Sequence, residues 1–264
     1  LDGLGIYLYG VIEKSNHGFN IKGIDGINNV YDITYHDIAA IVSNVNLDEF
    51  GEDTLREKSE DIEWLKKYAQ IHMDIIKEIM SYGTFIPFKF CTIFLSRDNI
   101  INFLGTNYET LKSELARLNG KEEWSLKVYC DIKKFIENQM KEEIKKMEES
   151  AAKKSKGAAY FMKKKLESDI ENIAKDKIYS YMDQIYNEII KQAVDGLKNK
   201  LLARELTQKK EPMFLNASYL INKENVNNFI NLIENLKKEY SQKNILIEYS
   251  GPWPLFSFVN LTLK

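Results

Sequence analysis

Three histidines and two cysteines are the side chains in this sequence best suited to metal binding, nucleophilic attack or proton transfer near neutral pH. Their spacing assembles none of these chemistries. His17, His36 and His72 include no pair four residues apart on one helix face, and Cys91 and Cys130 lie far apart without metal-ligand spacing. The thiols therefore read as reduced and buried. There is no phosphate-binding loop, no glycine-rich dinucleotide turn after a strand and no nucleophile elbow. Acids are plentiful, but runs such as Glu142-Glu143-Ile144-Lys145-Lys146 interleave them with lysines, as solvated helix faces do. No catalytic group, cofactor or metal is expected.

His72 is the one histidine placed to do something. From Thr54 to Tyr82, Ile62, Leu65, Ala69, His72, Ile76 and Ile79 recur at spacings of three and four, which predicts one long amphipathic helix with His72 on its buried seam. Gly83 reads as its left-handed cap, and the stretch from Phe85 to Phe94 then alternates aromatics with smaller groups, predicting an edge strand that carries Pro87. Two readings follow: a hydrogen-bonded core histidine, or a pocket for a small ligand or substrate between this helix and strand. Elsewhere, Lys153, Lys154, Lys156, Lys163, Lys164 and Lys165 lie in a segment free of acids. That cluster reads as a solubilising helix break, with an anion site as the alternative.

The surrounding elements follow from periodicity. Ile6, Leu8, Gly10 and Ile12 alternate with Tyr7, Tyr9 and Val11 as a central strand with both faces covered, and residues 30–34 and 38–45 read as its neighbours. A second helix is predicted from Asn99 to Leu118. The boundary then falls near Gly120, giving an N-terminal α+β domain over 1–119 and a C-terminal one over 120–264. The second opens on a strand in which Trp124, Leu126, Val128 and Cys130 share a face. No proline occurs between Pro87 and Pro212, and helical stripes from Ile132 to Met147 and from Leu166 to Leu201 predict a long antiparallel helical hairpin over about 132–206. A strand at 213–222, a helix at 223–240 and a strand at 244–249 complete the unit. Gly251-Pro252-Trp253-Pro254 reads as a stop of trans prolines. A tail over 251–264 follows it, with residues 255–263 as a last strand and Trp253, Phe256 and Phe258 folded inward. The expected fold class is α+β: two ferredoxin-like units with helices against one face of each sheet, the second elaborated by the hairpin.

Composition narrows the function classes. At 44% apolar and 29% charged the chain has a globular make-up, and a net charge of −2 lacks the basic excess of a nucleic-acid binder. The charge-free run from Tyr249 to Leu263 is too short and proline-broken to span a membrane. Leu1-Asp2-Gly3 leads directly into a strand without the features of a secretory signal, so a cytoplasmic location is expected.

Seven landmarks in order give the sequence a family likeness. They are Ile6-Tyr7-Leu8-Tyr9-Gly10; the stretch Ile38 to Ser43; Trp64-Leu65 with Ala69 and His72; and Pro87-Phe88-Lys89-Phe90-Cys91-Thr92. Gly120-Lys121 with Glu123, Trp124 and Lys127, then Gly157-Ala158-Ala159-Tyr160, and finally Gly251-Pro252-Trp253-Pro254 complete the set. In these the chain resembles the gas vesicle protein F/L family over nearly its whole length. It departs from the family pattern where Cys91 replaces the usual glycine and where Leu255 replaces the second proline after Trp253. The resemblance implies two α+β domains and a non-catalytic, chaperone-like accessory protein of gas vesicle assembly, cytoplasmic and vesicle-associated. Its partners would be the small hydrophobic shell protein and other vesicle proteins. Trp64, His72, Pro87, Phe90, Thr92, Trp124, Lys127, Gly157, Tyr160 and the Gly251 to Pro254 motif are its structural or interface residues. A purely helical adaptor that oligomerises through residues 132–206 is a further alternative.

Overall fold

The computed structural model describes residues 3–14, 18–152 and 159–263. The chain is α+β, with two antiparallel sheets and helices packed on each. It divides into two compact units, residues 1–121 with 253–264, and residues 122–252.

In the first unit, β1 (Leu4–Glu13) is central, as its two-sided alternation predicts. It pairs with β3 (Ile38–Asn46), which pairs with β2 (Tyr31–Tyr35), and on its other side with β4 (Phe85–Pro87) and β5 (Ile93–Phe94). A register shift between Leu8 and Gly10 marks a bulge in β1. Gly10 is needed there, because a Cβ would stand 2.2 Å from the Ile86 carbonyl oxygen. The expected single edge strand over 85–94 is therefore two short pieces joined by a turn in which Cys91 is left-handed, at φ 62°.

The expected helix from Thr54 to Tyr82 is also divided. After α1 (Leu47–Phe50) come α2 (Glu52–Lys58) and α3 (Ile62–Ile79), and the break falls where the Asp61 carboxylate accepts the Trp64 N–H and so starts a new helix. Ile62 consequently leaves the seam and is 64% exposed. Gly83 takes φ 156° and ψ −168°, a positive-φ conformation that suits glycine but is not the αL geometry of the expected cap. The predicted second helix is likewise two, α4 (Arg97–Thr106) and α5 (Tyr108–Leu118). Between them the buried Asn107 turns its amide back onto the Phe103 carbonyl. Tyr7 and Tyr9 face α3, while Leu8, Ala40 and Val42 are buried on the opposite side, toward α4 and α5. Helices thus cover both faces of this sheet, where one was expected.

In the second unit, β6 (Lys121–Cys130) and β8 (Met213–Asn222) lie at the centre of a sheet edged by β7 (Asp195–Lys198) and β9 (Ile245–Trp253). Its helices are α6 (Ile132–Gln139), α7 (Lys141–Ala152), α8 (Ala159–Ile190), the short α9 (Arg204–Thr207) and α10 (Val226–Ser241). The α8 seam is Ile170, Ala174, Ile178, Met182, Ile185 and Ile189, and Ile173, expected on it, is 41% exposed. α6 and α7 pack on α8, with Glu143 and Lys177 paired at 2.8 Å. The helical pattern ends at Ile190, short of the expected Leu206. Residues 195–198 instead extend the sheet along β8, and Leu197 and Leu201 are 40% and 39% exposed.

The strand does end in the proline motif, but four residues later than the expected Tyr249 and not on two trans prolines. β9 runs through Pro252 to Trp253, and the Gly251–Pro252 bond is cis. β9 is an edge strand, where a residue without an N–H is tolerated. No last strand forms among the described residues 255–263. Residues 253–264, expected within the second domain, belong to the first unit. Pro254, Leu255 and Phe258 are buried, whereas Trp253 is half-buried and Phe256 is 39% exposed. The Arg117 guanidinium donates to the Phe258 carbonyl and to both oxygens of Glu114, whose carboxylate also accepts the Asn260 N–H at 2.7 Å.

Candidate functional site

In the first unit, β1, α3 and the 87–92 turn bring Trp64, His72, Pro87, Phe90 and Thr92 to one place. Two tyrosines two residues apart on β1 point the same way, as strand geometry requires, and meet α3 at His72. The His72 ring lies 5.7 Å from Tyr7, 6.0 Å from Tyr9 and 5.7 Å from Phe90, centroid to centroid. Phe90 continues to Trp64 at 6.2 Å, and Trp64 to Tyr68 at 4.7 Å and Phe50 at 6.0 Å. Pro87 pairs with Gly10 in the β1–β4 register, and the Thr92 carbonyl accepts the Leu8 N–H at 2.8 Å. The Thr92 hydroxyl closes the turn onto the Lys89 carbonyl at 2.7 Å.

A polar thread runs through these rings. The Cys91 N–H donates to the Tyr7 hydroxyl at 2.9 Å, and that hydroxyl lies 2.9 Å from His72 Nδ1. Since the amide can only donate, the arrangement that leaves fewest orphan groups has Tyr7 O–H donating to Nδ1, with the imidazole proton on Nε2. Nε2 makes no hydrogen bond of standard geometry among the described residues, although the Phe88 backbone acts on the ring electrostatically. Beside it the Tyr9 hydroxyl accepts the Ile24 N–H at 2.7 Å and meets Ser43 Oγ at 2.8 Å.

Burial sets the protonation states. It lowers the His72 pKa to about 4, opposed more weakly by the Phe88 backbone. Burial also raises the Cys91 thiol to about 11 and pushes the Tyr7 and Tyr9 phenols up. Around pH 7 every member is neutral: His72 is too weak a base, and Cys91 too weak an acid, for proton transfer or thiolate chemistry. The arrangement is suited to fixing α3 and the 88–92 turn onto β1.

The remaining landmarks do not join this cluster. In the second unit Trp124 is buried, packs on Phe229 and Tyr249, and donates from Nε1 to Glu122 at 3.1 Å. Gly251 lies against that ring, where a Cβ would come within 2.8 Å of it. Lys127 is half-buried on β6, and Pro252 is exposed. Gly157 and His17 lie outside the described residues, as do the Tyr160 side chain and much of the lysine cluster. His36 is exposed beside Tyr35 and Tyr108. Sequence reasoning missed Tyr7, Tyr9, Ser43, Phe50 and Tyr68 as members of the cluster. Its available signal was the repeat of tyrosine at alternate positions of β1.

Residues 5–260 match the family described as gas vesicle synthesis protein GvpL/GvpF. The chain belongs to that family. Curated members of the GvpL/GvpF family are distant from it in sequence but similar in length. Gas vesicle protein L of a Streptomyces species is 22% identical over 87% of this chain and 82% of its own. Gas vesicle protein F1 of Halobacterium salinarum is 20% identical over 97% and 93%. The crystal structure of GvpF from Anabaena superposes with a TM-score of 0.70 at 17% identity, covering 98% of this chain and 97% of that one. GvpF from Microcystis aeruginosa gives 0.67 at 18%, covering 97% and 99%. The fold is therefore that of GvpF. Among the described residues no helix is long and apolar enough to cross a membrane.

Proposed function

We propose that this chain is a non-catalytic, chaperone-like accessory protein of gas vesicle assembly, acting in the cytoplasm and at the vesicle. In this reading it binds the small hydrophobic shell protein, alongside other vesicle proteins, and covers apolar surface until the subunit joins the growing wall. The observation that carries the reading is the family match across residues 5–260. The chemistry of the landmark cluster agrees with it, since His72, the one candidate base, is held neutral within a ring-packed interior.

Cross-linking followed by co-purification with the shell protein tests the reading, together with imaging of vesicles after deletion of this chain. Recovery of shell-protein adducts and loss or malformation of vesicles are expected. Unchanged vesicles with no vesicle protein recovered would sink the proposal.

A further inference from the structure

In the second unit, α6, α7, α8 and the 204–212 segment line a half-open trough of about 770 Å³. Its lining includes Ile132 and Ile136 from α6, Ile144 from α7, Ile170 from α8, and Pro212. Ile132, Ile136 and Ile144 pack on the core of the unit but are only partly buried, so an apolar strip stays open to solvent.

The charges on the rim are divided by element. α8 contributes two acids one turn apart, Glu167 and Glu171, the latter paired with Lys175 at 2.7 Å outside the trough. α6 contributes Asp131, Lys133 and Lys134; Asp131 caps the helix and pairs with Lys134 at 3.5 Å, which leaves Lys133 in excess. The 204–212 segment adds Arg204 and Lys210 against Glu211. The lining from α8 is thus acidic, and the linings from α6 and from the 204–212 segment each carry an excess cation.

Shape decides the class of occupant. Sites for small molecules usually enclose most of the ligand, about 70–90% of its surface. A half-open trough leaves one side of its occupant in water, which is what a helix docked by a single face requires. We propose that this trough docks an amphipathic helix of a partner protein, with an apolar stripe over the isoleucines, a basic flank against α8 and an acidic flank against α6 and the 204–212 segment. This inference is independent of the shell-protein reading, because it rests on the trough alone.

The test uses the full chain and three fluorescent helical peptides that share one leucine stripe. The first has lysine on one flank and glutamate on the other, the second glutamate on both, and the third lysine on both. Fluorescence anisotropy is expected to show saturable binding of the mixed peptide, about five-fold tighter than either control, as two rim ion pairs allow. In the double variant E167K/E171K, whose substitutions are both on exposed positions, preference moves to the all-glutamate peptide. Ile144→Lys abolishes binding of all three, while circular dichroism shows both variants folded. Equal binding of the three peptides, or none, overturns the proposal. So does displacement of the mixed peptide by a fatty acid of similar affinity, which would make the trough a lipid site. Self-association abolished by Ile144→Lys would likewise overturn it in favour of a second copy of this chain.

Discussion

Both units bury a tyrosine on a central strand, and they use it in opposite ways. Tyr7 on β1 accepts the Cys91 N–H and reaches His72, linking a strand, a turn and a helix that are far apart in sequence. Tyr219 on β8 packs against Tyr186 and Phe229, and its hydroxyl has no hydrogen-bond partner among the described residues. Around these two tyrosines, the core of the first unit is tied by polar contacts and that of the second is packed by apolar rings. Stability in the first should depend on hydrogen bonds and pH, and in the second on side-chain size.

Removing volume from the second unit should have the largest effect. Phe229 is fully buried against Trp124 and Tyr219, and Phe229→Ala is expected to destabilise by about 3–5 kcal/mol. Urea unfolding measures the loss, and hydrogen exchange should confine its first effects to residues 122–252. A loss spread evenly over both units would break the comparison.

Titration probes the first unit. The His72 pKa is about 4 in the folded chain against 6.5 for an ordinary histidine, so between these values the unfolded chain binds more protons. The contribution of His72 is fully present above pH 6.5 and is lost as pH falls through 4, amounting to roughly 3 kcal/mol. Stability measured from pH 7 to 4 should fall accordingly, and His72→Gln should flatten the slope. An unchanged slope in that variant would assign acid sensitivity elsewhere.

The paired substitutions Tyr7→Phe and Tyr219→Phe test the contrast most directly. The first strands a buried His72 nitrogen and a part-buried Cys91 N–H and should cost about 2 kcal/mol; the second removes a hydroxyl with no partner among the described residues and should change stability by less than about 0.5 kcal/mol, or raise it. Thermal melts of the two proteins would settle the order. The smallest expected effect is at Cys91, whose left-handed backbone costs a β-carbon roughly 1 kcal/mol. Cys91→Gly should be stabilising by about that amount or less in urea unfolding, since glycine also loosens the unfolded chain.

The sequence made some of this architecture readable and hid the rest for physical reasons. Periodicity located β1, β6, β8 and α10, because a buried face repeats in the residues themselves. The breaks at Asp61 and Asn107 were hidden, since each depends on one side chain competing for backbone groups inside an otherwise continuous stripe. β7 was hidden because residues 195–198 become a strand through pairing with β8, and local preference gives no sign of it. Of the landmark cluster, His72 and Pro87 stood out by their place in the pattern, and Trp64 and Phe90 through the family resemblance. Their meeting with Tyr7 did not, for Tyr7 and His72 are 65 residues apart and only the folded sheet joins them.

The return of residues 253–264 to the first unit sets an order of synthesis. A chain made from its N-terminus supplies all of residues 122–252 before it supplies Phe258 and Asn260, the residues that Arg117 and Glu114 hold. On the ribosome the second unit can therefore reach its final form first. The first unit, though begun earlier, waits for the end of this segment to be closed. A product stalled or clipped after residue 252 would hold every residue of the second unit and lack the partners that Arg117 and Glu114 hold in the first.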